Sequence, residues 1–431
     1  MNASDKPAPD GRVFVLALCG GADWPIPALG GRTPFEAAPT PRLDQLAAQG
    51  CTGLLEVIAS GIPPESDSGA MALLGYDPVV YYTGRGPLEG FGNRYWDPRG
   101  HSVAFRINFA SRNPDTGQLD RRTSRDLTDD ELRRLVAEIL DQIDLDPEVT
   151  VHLTGWGRHR GILAFSSRRW PLSGEVSNTD PGFVKVGPFG LPVRNHPDRP
   201  LACRPLDESE AATRVVTLVN EFVEQSARVL ASSEVNARRV AAGRKPANLL
   251  LVRDGGHLLP DLPPATARIS MYGQVPAERG LARLIGACFT VAKVAPGQSE
   301  PDFYARLVPQ LVADPADVVF VHVKGPDEPG HDGQPEAKAR AIAEIDTHLV
   351  APLHDALSPA DALVVTCDHA TPCELGIHSA DRVPAAVIGP GVPVDGVREF
   401  SEAAVAGGGL PTGRACELLP WLARVREEAR C

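Results

Sequence analysis

Two short stretches concentrate groups able to hold a metal ion. In "KGPDEPGHDG", Asp327 and His331 stand four residues apart on a Gly/Pro-rich segment. We read this segment as a loop on which a carboxylate and an imidazole converge on one ion. In "CDHATPCELGIHSAD", Asp368 and His369 are adjacent and His378 follows nine residues after His369. Carboxylate oxygen mixed with imidazole nitrogen suits Zn or Mn better than Ca. A single loop histidine has an ordinary alternative, a hydrogen bond or exposure to water. Here three of only eleven histidines gather with two aspartates, and a metal centre is the reading for the set.

A third stretch, "GIPPESDSGAMALLGYDP", reads as a loop, a short helix from about Asp67 and a stop at Gly75. Ser66 then falls at the helix N-terminus, where unsatisfied N–H groups and the dipole favour a phosphate. An N-cap is the ordinary use of serine there. Beside a metal it becomes a candidate nucleophile, because a metal offsets the high pKa of a serine hydroxyl.

These residues need elements to position them. Three apolar runs, "VFVLAL" (13–18), "VVFVHV" (318–323) and "ALVVTC" (362–367), resemble buried parallel strands. Each stops just before chemistry-bearing residues: Cys19 after the first, the Asp327 stretch after the second, and Asp368-His369 after the third. Open α/β sheets keep their sites at such carboxyl ends. The first strand lies some three hundred residues from the other two, so one sheet using all three must accommodate a large insertion. The middle of the chain supplies it. "RINFA", "VTVHLTGW", "GILAFSS" and "NLLLVR" read as strands. "LTDDELRRLVAEIL" (Thr128 and Glu131 at capping-box spacing) and "EAATRVVTLVNEFVEQSARVL" read as helices. The expected organisation is a core of residues 1–92 and 265–431, interrupted by an α/β cap over 93–264.

Composition narrows the class. The 431 residues suffice for two substantial cores, and the formal net charge of −12, spread along the chain, argues against a nucleic-acid binder. No apolar run reaches membrane-spanning length. The opening "MNASDKPAPDGR" lacks the apolar centre of a signal peptide. Eight scattered cysteines without a CxxC pair point to free thiols in a reducing cytoplasm.

The chain resembles the cofactor-independent phosphoglycerate mutases of the archaeal type, in the alkaline phosphatase superfamily. The stretches "PPESDSGAMALLGYDP", "YYTGRGPLEG", "AFRINFA", "GEVSNTDP", "HVKGPDEPGHDG" and "CDHATPCELGIHSADRVP" carry the resemblance, in family order, over nearly the whole chain. It implies an α/β fold: an alkaline phosphatase-like core with a central, mostly parallel sheet, interrupted by an inserted α/β transferase cap. It also implies two divalent metal ions, Mn or Zn, and a small phosphoglycerate-like substrate, with no nucleic-acid or membrane partner. In the family, the serine matching Ser66 takes a phosphoryl group from one substrate hydroxyl and returns it to another. Asp327, His331 and His378 match the ligands of one metal; Ser66, Asp368 and His369 match three ligands of the other.

The fourth ligand of that second site is an aspartate in a "DG" pair, and here the pair is Cys19-Gly20. A thiolate ligates and pulls preference towards Zn; alternatively Cys19 is a small buried hydrophobe and the site is weakened, or the thiol is a redox handle. Glu65 stands where the family usually has Gly, and Ala70 where it usually has His or Asn. Lys324 matches a residue placed to pair with phosphoryl oxygens, and Arg253 one that grips substrate phosphate or carboxylate. His159 and Asp180 match a region offering acid/base groups to the glycerate hydroxyls, and Arg85 and Arg160 are further candidate anion contacts. The implied activity is that of a metal-dependent intramolecular phosphotransferase, an isomerase working through a phosphoserine. The alternatives are a divergent phosphatase or phosphotransferase on another small metabolite, including a homoserine-kinase-like one, and a non-catalytic phospho-ligand binder.

Overall fold

In the computed structural model, residues 11–94, 96, 101–121 and 123–430 are described. The first ten residues, most of the stretch read for a signal peptide, lie outside them. The chain separates into two compact units, one of Met1–Tyr82 with Asp261–Cys431 and one of Thr83–Pro260.

The first unit is built on a seven-stranded sheet. Across it run Cys288–Val291, Ile269–Gly273, Val318–Val323, Val13–Leu18, Ala362–Thr366, Val383–Ile388 and Cys51–Leu55. Pairing is parallel up to Ala362–Thr366, and only Val383–Ile388 runs against the rest. The fold class is thus α/β around a mostly parallel sheet, as expected. Val13–Leu18 lies at the centre, buried along its whole length. That burial explains a continuous apolar run in place of an alternating one. Its register pairs Leu18 with Val323 on one side and Ala17 with Thr366 on the other. All three strands therefore end level, and their next residues emerge side by side.

The second unit is antiparallel. His101–Arg112 pairs with Arg160–Ser167 and with Leu249–Gly256, and Val149–Trp156 pairs with Arg160–Ser167. The helices Asp129–Gln142 and Glu210–Ala231 turn their apolar faces to this sheet, burying Leu135, Ile139, Val215 and Phe222 with Phe105, Phe109 and Phe165. Thr128 caps the first helix through the reciprocal bonds with Glu131 that the spacing suggested.

Two details differ from the sequence reading. The helix Arg85–Gly92 packs on His101–Arg112 and Leu249–Gly256, so it groups with the second unit and the junction falls at 82/83, not at 92. A Cβ on Gly86 would sit 2.5 Å from the carbonyl oxygens of Ala104 and Asp254, so glycine permits this close seat. Second, Asp327–His331 is a short helix, not a loop. Pro326 starts it, and the four-residue spacing then puts both side chains on one face.

Candidate metal and phosphate site

At the level ends of the three central strands stand Cys19, Lys324 and, just past Cys367, Asp368 with His369. The helix Ser66–Leu73 brings Ser66 to the same place as its first residue, with Glu65 in the capping position. Ser66 is thus inside the helix rather than its cap. Lys324 Nζ donates to Ser66 Oγ at 2.9 Å and to Cys19 Sγ at 3.0 Å. Cys19 Sγ lies 3.7 Å from Ser66 Oγ and 3.5 Å from His369 Nε2.

Three overlapping donor groups adjoin this point. Asp327 Oδ1 is 3.4 Å from His331 Nε2 and 3.7 Å from His378 Nε2. Cys19 is grouped with Asp327 and His369, and also with His322 and Asp368, with the donor atoms of each set within 4.8 Å of one another. The other nitrogen of each ring is already engaged: His331 Nδ1 with Gly376 O at 2.9 Å, His378 Nδ1 with Pro64 O at 2.8 Å, and His369 Nδ1 with Thr371 Oγ1 at 3.1 Å. Such bonds fix the rings so that Nε2 turns towards the carboxylates, the usual arrangement of ligating histidines. The donor set fits a divalent cation of the Zn or Mn kind.

Charge is arranged accordingly. Burial works against ionised Asp327, yet His331 and Lys324 hold its carboxyl well below the usual range. Asp368 is likewise held down against burial by His369 and His322. Burial pushes the His369 imidazole down to about 3, keeping it neutral. Burial, reinforced by Asp368, pushes the Cys19 thiol up to about 11, so it ionises only against a strong positive partner.

His322 was missed by the sequence reading. It is fully buried, with Nε2 2.7 Å from Asp368 Oδ2 and Nδ1 facing Glu278. Glu278 also accepts from the backbone N–H groups of Gln274 and Val275. The signal was present as the one polar residue inside "VVFVHV". Glu65 sits with Oε1 3.8 Å from His378 Nδ1, and Ala70 is buried within the serine helix.

The remaining candidates belong to the second unit. Arg85 and Arg106 both donate to Glu89 Oε1, at 2.7 and 3.0 Å, and all three are buried. Burial, then the nearby guanidinium of Arg85, pulls Arg106 down to about 9; Arg253 and Arg160 add to the effect, and Glu89 opposes it. Four arginines thus share one neighbourhood, which favours an anion. Arg106 was overlooked although it is the one charged residue of "RINFA". Burial, with Arg160 and Arg125, pushes His159 down to about 2, so its imidazole is neutral. Asp180 is fully buried and gripped by Arg121 through both oxygens. The Phe183 ring carries Arg121 at 5.4 Å and Arg253 at 3.8 Å, linking Asp180 to the arginine neighbourhood.

A family model for 2,3-bisphosphoglycerate-independent phosphoglycerate mutase matches residues 47–236. A mutase of that description from Aeropyrum pernix is 38% identical over 415 residues, covering 93% of this chain and 96% of the relative. One from Methanopyrus kandleri is 36% identical, over 93% and 92%. The chain belongs to this mutase family. Among solved structures, the cofactor-independent phosphoglycerate mutase of Thermoplasma acidophilum is 30% identical with a TM-score of 0.59, covering 96% of this chain and all of that one. A Pyrococcus horikoshii protein superposes with a TM-score of 0.74 at 27% identity, over 97% of each chain. Among the described residues, no helix is long and apolar enough to cross a membrane.

Proposed function

We propose that this member of the mutase family is a metal-dependent isomerase that interconverts 3- and 2-phosphoglycerate in the cytoplasm, through a phosphoserine at Ser66. The observation that carries the reading is Ser66 Oγ at a helix N-terminus, bonded to Lys324 and close to overlapping carboxylate–imidazole donor groups. Asp327, His331 and His378 would hold one divalent ion; Cys19, Asp368, His369 and Ser66 would hold a second, Mn or Zn. When bound, these ions supply Lewis-acid charge that stabilises the transferring phosphoryl oxygens.

Ser66 Oγ loses its proton as it attacks phosphorus, the bond from phosphorus to the substrate oxygen breaks, and the departing oxygen takes up that proton to become the glycerate hydroxyl. The neighbouring hydroxyl then attacks the phosphoserine, the bond from phosphorus to Ser66 Oγ breaks, and the proton of the attacking hydroxyl returns to the released Ser66 oxygen. Lys324, kept an ammonium, pairs with phosphoryl oxygens in both steps, and the helix N–H groups receive the same charge. Within the second unit, the Arg85, Arg106, Arg160 and Arg253 guanidinium groups offer a binding place for an anion such as a carboxylate. Neutral His159 is suited to exchange a hydrogen bond with a substrate hydroxyl.

The test is turnover of 3-phosphoglycerate by the purified, metal-loaded chain. Formation of 2-phosphoglycerate supports the reading; its absence, with metal content intact, overturns it. A second reading, phosphotransfer on another small metabolite, is favoured by Glu65, a carboxylate one residue from the nucleophile that would repel an incoming phosphate. A panel of phosphorylated hydroxy acids and amino alcohols separates the two.

A further inference from the structure

Among the described residues, three non-glycine residues have positive φ: Arg94, Arg158 and Asp254. The first two lie in turns. Asp254 does not; it lies inside the strand Leu249–Gly256 with φ of 55° and is buried. An aspartate held in the left-handed region inside a buried strand is strained, and such strain persists only where the surroundings impose it.

Here they do. Asp254 N–H donates to Asn178 Oδ1 at 3.0 Å, while the preceding Val252 exchanges bonds of 2.8 Å with Thr179, one from its N–H to Thr179 Oγ1 and one to its carbonyl from Thr179 N–H. The segment 178–179 thus clamps the backbone on both sides of Arg253. The partner strand accommodates the irregularity with a register shift between Ala104 and Arg106. Gly190 leaves the space the carboxylate fills, since a Cβ there would sit 2.3 Å from Asp254 Oδ1. Within that slot Asp254 Oδ2 accepts from Arg253 Nη1, and the Arg253 guanidinium lies 3.8 Å over the Phe183 ring.

We propose that Asp254 is the positioning residue for Arg253: a strained backbone and a glycine slot hold its carboxylate so that the guanidinium is fixed against Phe183, ready for a substrate carboxylate or phosphate. The inference rests on the reading of Arg253 as an anion-binding residue. A pre-oriented guanidinium binds a planar oxyanion without first losing its rotamer freedom.

The test is a cycle of Asp254→Gly, Arg253→Gln and the double variant in the full-length, metal-loaded protein, with Asp254→Asn alongside. Glycine adopts φ of 55° without strain, which offsets part of the loss of the buried ion pair, so Asp254→Gly should still melt cooperatively. Its KM for 3-phosphoglycerate should rise roughly tenfold with kcat little changed, and the change should vanish in the Arg253→Gln background. Asp254→Asn, which keeps an acceptor oxygen, should fall between. An unchanged KM in a stable Asp254→Gly protein overturns the proposal, as does an undiminished effect without Arg253. Should the glycine variant fail to fold, the asparagine variant decides by the same KM criterion. The same cycle read by calorimetric binding of inorganic phosphate separates the two readings. A wild type that leaves phosphoglycerate untouched ends the mutase assignment, whereas phosphate affinity equal in wild type and Asp254→Gly ends this one.

Discussion

Lys324 Nζ lies 3.0 Å from Cys19 Sγ, so a buried thiol meets a buried ammonium at the end of the central strand. Burial alone would lower the lysine, but Cys19, Asp327 and Asp368 together hold it above its ordinary value, and it stays charged. The pair gives the thiol one positive neighbour and leaves room for a second in a bound cation.

If the Cys19 thiolate ligates, the protein should prefer Zn at that site, with sulfur at about 2.3 Å. Cys19→Asp should shift the preference towards Mn, since a hard oxygen replaces a soft sulfur. It should also raise activity on 3-phosphoglycerate, partially, because Glu65 and Ala70 are unchanged. Metal-edge X-ray absorption of the loaded wild type and variant is the measurement. Identical spectra without sulfur scattering would exclude Cys19 as a ligand.

His331→Ala should strip one metal per chain while leaving the melting transition of the protein largely in place. The side chain is 27% exposed and sits on a helix of five residues, so little packing is lost with it. Elemental analysis beside a thermal melt checks both halves. Full metal content in the variant would remove His331 from the ligand set.

Ser66→Ala should lower turnover by on the order of a thousandfold or more, as expected for loss of the attacking atom rather than of binding. Acid-quenched wild type incubated with labelled phosphoglycerate should carry label on Ser66, and the variant none. Near-wild-type turnover in the variant would rule out a serine pathway.

Asp361 offers a pH test away from the site. Its carboxylate accepts from Arg12 N–H at 2.7 Å and from Ser358 N–H at 2.9 Å, and it pairs with the Arg12 guanidinium at 3.2 Å. Burial opposes ionisation, but these bonds hold the carboxyl below its ordinary value. A depressed folded-state pKa contributes stability that is present above about pH 4, the unfolded value, and is lost as pH falls towards the folded one. Asp361→Asn should cost about 2 kcal/mol at neutral pH. Urea midpoints should then fall less steeply for the variant than for wild type below pH 4. Parallel acid limbs would deny Asp361 this role.

The convergence of Cys19, Asp327, Asp368 and His369 was legible because strand periodicity and residue type coincide. Three apolar runs ended at Cys19, the Asp327 stretch and Asp368, and those strands are neighbours in the sheet. The Asp327–His331 turn was misread because Gly and Pro mark loops locally, whereas Pro326 here opens a helix. His322 and Arg106 escaped because a polar residue inside an apolar strand declares nothing about its partners; Glu278 and Glu89 come from separate elements. Asp180 drew a role from its motif, but the Arg121 grip on it depends on tertiary packing that no spacing records. The strained geometry of Asp254 is invisible in "LLLVRDGG", since φ is written by Asn178 and Thr179 from afar.

The sheet order has a consequence for synthesis. Val13–Leu18 leaves the ribosome early, yet its two neighbours, Val318–Val323 and Ala362–Thr366, follow about 300 residues later. At ~5–20 residues per second that is a wait of roughly 15–60 s. The contiguous unit Thr83–Pro260 can complete itself in the meantime, while a wholly apolar strand stands unpaired, the kind of segment that chaperones shelter. Cys19 meets Asp368 and His369 only once a further 350 residues have emerged, so this candidate donor group cannot assemble while the first strand waits.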